Sequence, residues 1–122
     1  MADVKIPLPG TPVRGSRSGA PVMALLDLLG RPWALGIVWV LAEADELSFN
    51  ELQSKCEAIS PGVLNTRLKE LVLAKLVDAN KRAYTLTREG HELFELIAPL
   101  GRWARRTWAP TLRASETGAS GN

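Results

Sequence analysis

The chain has 122 residues, 46% of them hydrophobic, which is enough for one compact domain with its own core and too few to suggest a second domain. Its longest uncharged apolar run, residues 32–42, is much shorter than the roughly 20 residues of a membrane-spanning helix, so we expect no membrane span. A formal net charge of +2 excludes no class of partner, and the distribution of charge along the chain is more informative.

The sign of the charge reverses in the middle of the chain. Residues 21–59 carry two basic and six acidic side chains, whereas residues 60–90 carry six basic and three acidic side chains. Positive charge is thus concentrated in one stretch, as expected of a surface that faces phosphate groups. A solvated face without any partner is the alternative that this pattern leaves open.

The two ends of the chain differ in composition from the middle. Residues 1–20 are rich in Pro, Gly, Ser and Arg without apolar periodicity, and residues 109–122 end in small polar side chains. We predict a disordered N-terminal tail and a flexible C-terminal tail on either side of one domain, residues 21–108. The first residues lack the apolar segment of a secretory signal, and the one cysteine, Cys56, cannot form an intrachain disulfide, so a reducing cytoplasm is the expected compartment.

Two helices are predicted at the start of the domain. Pro21 suits the first turn of the first helix and Gly30 suits its end, because Pro has no amide to leave unsatisfied and Gly tolerates helix-terminating conformations. Pro32 suits the first turn of the second helix. This helix should be the most buried element, since its apolar side chains recur at helical spacing: Trp33, Ile37, Val38 and Leu41.

A pair of helices follows, and each has a clear start. Ser48 with Glu51 three residues later forms a capping-box pattern, and Ser60 followed by Pro61 is a second N-cap signal. The third helix has one apolar face: Leu52, Cys56 and Ile59. The fourth spans about residues 61–74, and the short connection between the two predicts a helix-turn-helix.

A small hairpin and a long terminal helix complete the domain. Residues 77–86 read as two short strands around Asn80 and Lys81, a wing whose inward side chains are Val77, Tyr84 and Leu86. Thr87 is the predicted cap of the terminal helix, and Pro99 should kink or divide that helix. The predicted fold is therefore mainly α with a small β-hairpin wing, a winged helix-turn-helix.

The fourth helix has a dry back and a polar front. With an advance of about 100° per residue, Leu64, Leu68 and Leu71 share one side, while Gly62, Thr66 and Lys69 point the opposite way. A helix of about 10 Å diameter fits the major groove of B-DNA, so this front is predicted to face double-stranded DNA.

The polar residues divide by the chemistry that each offers. Asn65 and Thr66 can read base edges, and the amides around Ser60 and Gly62 can hold a phosphate. Phosphate or groove-edge contacts are predicted for four basic residues, two on the helix and two at the hairpin tip: Arg67, Lys69, Lys81 and Arg82. A winged-helix module that binds another protein without specific DNA binding is the alternative.

These segments resemble the HxlR-type winged-helix transcriptional regulators, relatives of the MarR group. The most specific pieces are "LLGRPWAL", "FNELQ" with "ISPGVLNTRLKEL", and "YTLTREG", and the likeness covers about residues 20–108. It implies a homodimeric DNA-binding regulator, with DNA contact at Ser60, Gly62, Asn65, Thr66 and Arg67. Two features depart from the family pattern. Ala20-Pro21 stands where members often have a redox-sensing Cys-Pro, and the wing is shorter than usual.

The terminal helices are the predicted dimer surface. They carry more apolar bulk than one small domain needs, and the first helix of the partner offers leucines to meet it; the residues are Leu93, Phe94, Ile97, Leu100, Trp103 and Trp108 with Leu25, Leu26 and Leu29. Packing of these side chains within one chain is the alternative.

An enzyme is not expected. His91, the one histidine, has no nucleophile at motif spacing, and one Cys with one His does not make a zinc site, so no catalytic residue, cofactor or metal is predicted. Cys56 is expected to be a core side chain. A small-molecule effector stays open, because Trp33, Trp39 and Trp103 could line a cleft, although core packing is their expected use.

Overall fold

The computed structural model describes residues 4–117, which are mainly helical and fall into two compact units that divide between His91 and Glu92. The elements in chain order are α1 (Pro21–Leu29), α2 (Ala34–Ala44), β1 (Glu46–Leu47), α3 (Phe49–Lys55), α4 (Pro61–Leu73), β2 (Val77–Ala79), β3 (Tyr84–Leu86), α5 (Arg88–Trp103), a π-helical turn (Ala104–Trp108) and α6 (Ala109–Thr117). The winged helix-turn-helix predicted from the sequence is confirmed.

The core of the first unit is built from α2, α3 and α4. The large side chains that these three helices bury fully are Ile37, Val38, Leu41, Leu52, Leu64, Leu68 and Leu71, and Val77 of β2 joins them. The apolar face predicted for α4 is therefore confirmed, and that of α2 is confirmed except for Trp33. Each buried side chain contributes about 1.5–3 kcal/mol when it leaves water. This burial fixes which side of α4 remains exposed.

Helix α2 begins two residues later than predicted. Trp33 is its N-cap and has a left-handed backbone, with φ of 71°, and the indole is 39% exposed instead of lying in the core. The Ala34 amide donates to the Arg31 carbonyl at 3.0 Å, so residues 31–34 form a turn and not a helical start.

The predicted starts of α3 and α4 are confirmed in atomic detail. The Ser48 hydroxyl accepts from the Glu51 amide at 3.1 Å, and the Glu51 carboxylate accepts from the Ser48 amide at 2.9 Å, a complete capping box. The Ser60 hydroxyl accepts from the Val63 amide at 3.2 Å, with Pro61 next in the chain. Both helices are thus fixed at the residues that the sequence indicated.

The wing belongs to a three-stranded antiparallel sheet with the order β1-β3-β2. The hairpin was predicted, but β1 was not: it pairs Glu46 with Thr85 and Leu47 with Tyr84. A strand of two residues is too short to show the alternation by which strands are recognised in a sequence. The expected inward residues Val77 and Leu86 are buried, and Tyr84 is half-buried.

The described ends differ from the predicted tails. Gly10 donates to the Gly19 carbonyl at 2.9 Å, Val13 and Ser16 form a β-bridge, and residues 109–117 are helical. Residues 1–3 and 118–122, which the tail predictions also cover, lie outside the described residues.

In the second unit, Pro99 neither ends nor divides α5, which runs on to Trp103; the regular α-helix stops only at the π turn. Among the described residues no single helix is long and apolar enough to span a bilayer. The pair α1 and α2 meets that test only when taken together, and a bend of 85° separates the two helices.

Candidate nucleic-acid interface

The side of α4 opposite its leucines is exposed to solvent, because the leucines turn the other side into the core. Ser60, Gly62, Asn65, Thr66 and Lys69 are all exposed, and apart from the neighbouring backbone of its own helix no heavy atom lies within 4 Å of the position that a Cβ on Gly62 would take. Five of the predicted DNA-contacting residues thus form one polar surface along the first two and a half turns of the helix. We call this surface the α4 front.

Arg67, for which the sequence predicted a DNA contact, does not lie on the α4 front. Its Nε donates to the Pro32 carbonyl at 2.9 Å and its Nη1 contacts a Glu70 carboxylate oxygen at 3.0 Å, and the side chain is 17% exposed. Counted from Leu64, Arg67 lies about 300° around the helix and Glu70 about 240°, on the flank turned toward the α1–α2 connection. Its guanidinium is committed to the protein itself.

Glu70 is the buried polar residue to which Arg67 is bound. Arg31 contacts its other carboxylate oxygen at 2.6 Å, and the same Arg31 nitrogen donates to the Lys5 carbonyl at 3.0 Å. Sequence reasoning missed this cluster, although the i,i+3 spacing of Arg67 and Glu70 was a signal that could have indicated the pair.

The wing presents the two basic side chains predicted at its tip. Lys81 and Arg82 are exposed, and the turn that carries them is fastened by the Asn80 side chain, which accepts from the amides of Arg82 and Ala83 at 2.9 and 2.8 Å. An asparagine in this role closes the turn without using either basic side chain. Both ammonium and guanidinium groups are therefore available to solvent or to a partner.

A shallow cleft of about 290 Å³ separates α4 from the wing. Asn65 and Lys69 of the α4 front line one side, and Ala79 and Tyr84 of the sheet line the other. The helix and the wing therefore border one continuous surface.

The remaining predicted residues fall as follows. Cys56 is buried, as expected, and that burial raises the pKa of its thiol above the ordinary value. His91 is exposed.

The residues proposed for the dimer surface differ in exposure. The exposed ones are Leu26, Leu100, Trp103 and Trp108, the half-buried ones are Leu25, Leu29, Leu93 and Phe94, and the buried one is Ile97. Leu96 and Leu112 are also exposed and were missed, although Leu96 precedes Leu100 by one helical turn.

A helix-turn-helix with an exposed polar second helix and a basic wing defines the class of winged-helix proteins. The sequence of this chain matches the model of the HxlR-like helix-turn-helix family over residues 28–111. The protein belongs to this family, which confirms the predicted family and the expectation of a transcriptional regulator rather than an enzyme.

Individual relatives agree. An HTH-type transcriptional regulator of Halalkalibacterium halodurans is 31% identical over an alignment of 85 residues, and the match covers 64% of this chain and 75% of the relative. The quinone-bound form of YodB from B. subtilis is similar in structure, with a TM-score of 0.66 and 30% identity, over 70% of this chain and 97% of YodB. A possible HxlR family transcriptional factor from Thermoplasma volcanium has a TM-score of 0.62 and 28% identity, over 70% of this chain and 82% of that one.

Proposed function

We propose that this protein is a sequence-specific DNA-binding regulator of transcription that acts in the cytoplasm as a homodimer. The observation that carries the proposal is the α4 front: four polar residues and one glycine, all exposed, at the start of a helix whose opposite side is fully buried. Such a helix fits the major groove, and its N-terminal residues approach the base edges.

In this proposal the contacts divide by chemistry. Asn65 reads adenine through its amide, and Thr66 meets a thymine methyl group or a base acceptor. Ser60 and Gly62 at the start of α4 bring the helix N-terminus close to a phosphate. Lys69, Lys81 and Arg82 neutralise phosphates on either side of the α4–wing cleft.

The test compares base readers with a phosphate binder. A duplex is first selected by the wild-type protein from a randomised pool, and affinities for it and for a random duplex are then measured by fluorescence anisotropy. Asn65→Ala and Thr66→Ala should each cost about 1–3 kcal/mol on the selected duplex and little on random DNA, whereas Lys69→Ala should weaken both alike. Equal losses on both duplexes for Asn65→Ala and Thr66→Ala would contradict the base-reading role.

We further propose that the dimer forms through the terminal helices. Support comes from exposed apolar side chains that succeed one another along the second unit: Leu96, Leu100, Trp103, Trp108 and Leu112. We call this row the terminal stripe. A dimer that binds two half-sites of one duplex also gains affinity, because the binding of one subunit raises the effective concentration of the other. A single small winged helix neutralises few phosphates and lacks this gain.

Sedimentation tests the dimer. The wild-type chain should sediment as a dimer at micromolar concentration, and Leu100→Glu should shift it toward monomer, since a buried unpaired carboxylate is costly in an interface. Leu73→Glu, at a leucine that is exposed on α4, is the matched control and should remain dimeric. A wild-type monomer would remove the dimer from the proposal and leave the α4 front unaffected.

A small-molecule effector stays a prediction. The B. subtilis relative has a quinone-bound form, which concerns that protein. This chain has Ala20-Pro21 where family members often carry the sensing cysteine, and its one thiol, Cys56, is buried. Any effector of this protein would therefore have to act without a thiol at that position.

A further inference from the structure

The cluster of Arg31, Arg67 and Glu70 has no part in the contacts proposed above. We propose that it is a latch in which Glu70 and Arg67 are positioning residues: they set the orientation of α4 for base reading, and Arg67 contacts no phosphate. This inference rests on the proposed function, because it concerns how the α4 front is presented to DNA.

The geometry of the latch is complete on both sides of the carboxylate. One Glu70 oxygen is bound by Arg31 at 2.6 Å and the other by Arg67 at 3.0 Å, and the Glu70 side chain is only 7% exposed. The arginines are bound in turn to backbone carbonyls, Arg31 to Lys5 and Arg67 to Pro32. The latch therefore joins α4 to the N-terminal segment and to the turn that precedes α2.

A large gain in stability is not the expected effect of this arrangement. Burying a carboxylate costs free energy that its partners only just offset, and well-packed apolar side chains of similar volume are often as stable. What ion pairs with fixed donors provide is direction, since a charge-assisted hydrogen bond tolerates little displacement.

The leucines of α4 define its inward side through apolar contacts, and the attraction that buries them is non-directional. The ion pairs add directional contacts to one flank of the same helix. Glu70 and Arg67 lie about 60° apart on one flank, next to Thr66 at about 200°, so they restrain the rotation that would swing the base-reading side chains. Base contacts are hydrogen bonds that weaken steeply with misalignment.

A direct phosphate contact by Arg67 is the competing role. Two of the five guanidinium N–H groups are held by the Pro32 carbonyl and the Glu70 oxygen, and the side chain is only 17% exposed, so little of it can reach a phosphate from this position. Turning the whole guanidinium outward would break both contacts and leave the buried carboxylate with Arg31 alone. Lys69, two residues away and fully on the α4 front, offers a cation with no such commitment.

The salt dependence of DNA binding separates the two roles, because its slope counts neutralised phosphates. We compare Arg67→Met with the matched variant Lys69→Met, using the selected and random duplexes described above between 50 and 200 mM salt. Lys69→Met should flatten the slope by about 0.9 for each subunit bound, on both duplexes. Arg67→Met should leave the slope unchanged and weaken binding to the selected duplex about tenfold or more. The ratio of the affinity for the selected duplex to that for the random duplex therefore falls.

A third variant tests whether the residues act as one unit. Glu70→Gln keeps the shape but removes the charge that both arginines bind, and should lower the selected-to-random ratio as Arg67→Met does. The double variant that combines Arg67→Met with Glu70→Gln should then have a selected-to-random affinity ratio little lower than that of either single variant, since each single change already removes the same latch. Circular dichroism establishes that each variant is folded at the assay temperature. If Arg67→Met does not fold, Arg31→Met, which breaks the latch outside α4, replaces it and should also lower the ratio with the slope unchanged.

The outcomes are distinguishable. A slope that flattens in Arg67→Met as it does in Lys69→Met, with the affinity ratio unchanged, would overturn the latch and restore Arg67 as a phosphate contact. Folded latch variants with the wild-type ratio and slope would also overturn it. A wild-type protein that binds selected and random duplexes equally would refute the proposed function itself.

Discussion

Gly90 lies where the first turn of α5 meets the backbone that leads into the wing, and replacing it by alanine tests this junction. A Cβ on Gly90 would overlap the Leu76 carbonyl oxygen and approach the Leu86 Cβ to 3.2 Å. That carbonyl already accepts from the Thr87 amide at 3.0 Å, and the Gly90 amide donates to the Thr87 hydroxyl at 2.9 Å. Backbone atoms tied by hydrogen bonds on both sides cannot yield cheaply.

The expected magnitude follows from two opposing effects. Overpacking costs about 1–3 kcal/mol, and a clash with backbone lies at the upper end. Alanine regains about 1 kcal/mol over glycine in a helix, which leaves Gly90→Ala destabilised by about 2 kcal/mol. Gly36 is the matched control: it is also the third residue of its helix, and its Cβ would meet only the Trp33 ring at 3.7 Å, so Gly36→Ala should gain up to about 1 kcal/mol.

Thermal unfolding followed by circular dichroism measures the difference. For a chain of this size about 3 kcal/mol between the two variants corresponds to roughly 10 °C in Tm, with Gly90→Ala below and Gly36→Ala at or above the wild type. Equal melting temperatures for the two variants would refute the close approach of α5 to the Leu76 carbonyl.

Four further outcomes are expected. Leu68→Ala, at a residue 1% exposed, should cost about 3 kcal/mol in equilibrium denaturation, whereas Leu73→Ala, at a residue of the same helix that is 51% exposed, should cost less than about 0.5 kcal/mol. Similar losses would mean that the inward side of α4 is misassigned. Ser48→Ala should cost about 1 kcal/mol by removing the cap of α3, and an unchanged denaturation midpoint would contradict the capping box. Hydrogen bonds from Ser48 hold the pKa of Glu51 below its ordinary value of 4.5, so this stabilisation is present above about pH 4.5 and is lost as the pH falls through the lowered pKa. Glu51→Gln should therefore be less stable than the wild type at pH 7, and the difference should shrink as the pH falls below the ordinary value of 4.5 and through the lowered pKa. A difference in stability that does not depend on pH would contradict the cause given. Because burial raises the pKa of Cys56, its thiol should react with a disulfide reagent at pH 7 much more slowly in the native protein than in urea, and equal rates would show it to be accessible.

The parts of the fold that could be predicted from the sequence are those determined by contacts between residues close together in the chain. Ser48 with Glu51, and Ser60 with Pro61, fix helix starts through contacts made within four residues, so no knowledge of the tertiary structure is needed to find them. Strand β1 has no such local signature, because two residues become a strand only when β3 lies beside them. The same holds for Trp33, whose left-handed backbone depends on the turn around it.

The candidate site divides in the same way. The exposure of Asn65, Thr66 and Lys69 follows from helical periodicity alone. Arg67 is only 100° from Thr66 on the helix. Helical periodicity shows that Arg67 lies outside the leucine face, but it does not show which groups its guanidinium contacts. The Pro32 carbonyl and the Arg31 guanidinium lie more than thirty residues away in sequence, and only the folded chain brings them to its flank.

The π-helical turn at Ala104–Trp108 has a geometric consequence for the side chains around it. Trp103 and Trp108 are five residues apart, which in a regular α-helix would set them about 140° apart, on different faces. A turn closed by i→i+5 hydrogen bonds takes in one additional residue and brings such a pair back into approximate alignment. If one residue were deleted from this turn, the two tryptophans would be four residues apart in an ordinary α-helix and would again lie on one face. The same row of indole and leucine groups can therefore be presented by the π turn or by an α-helix that is one residue shorter.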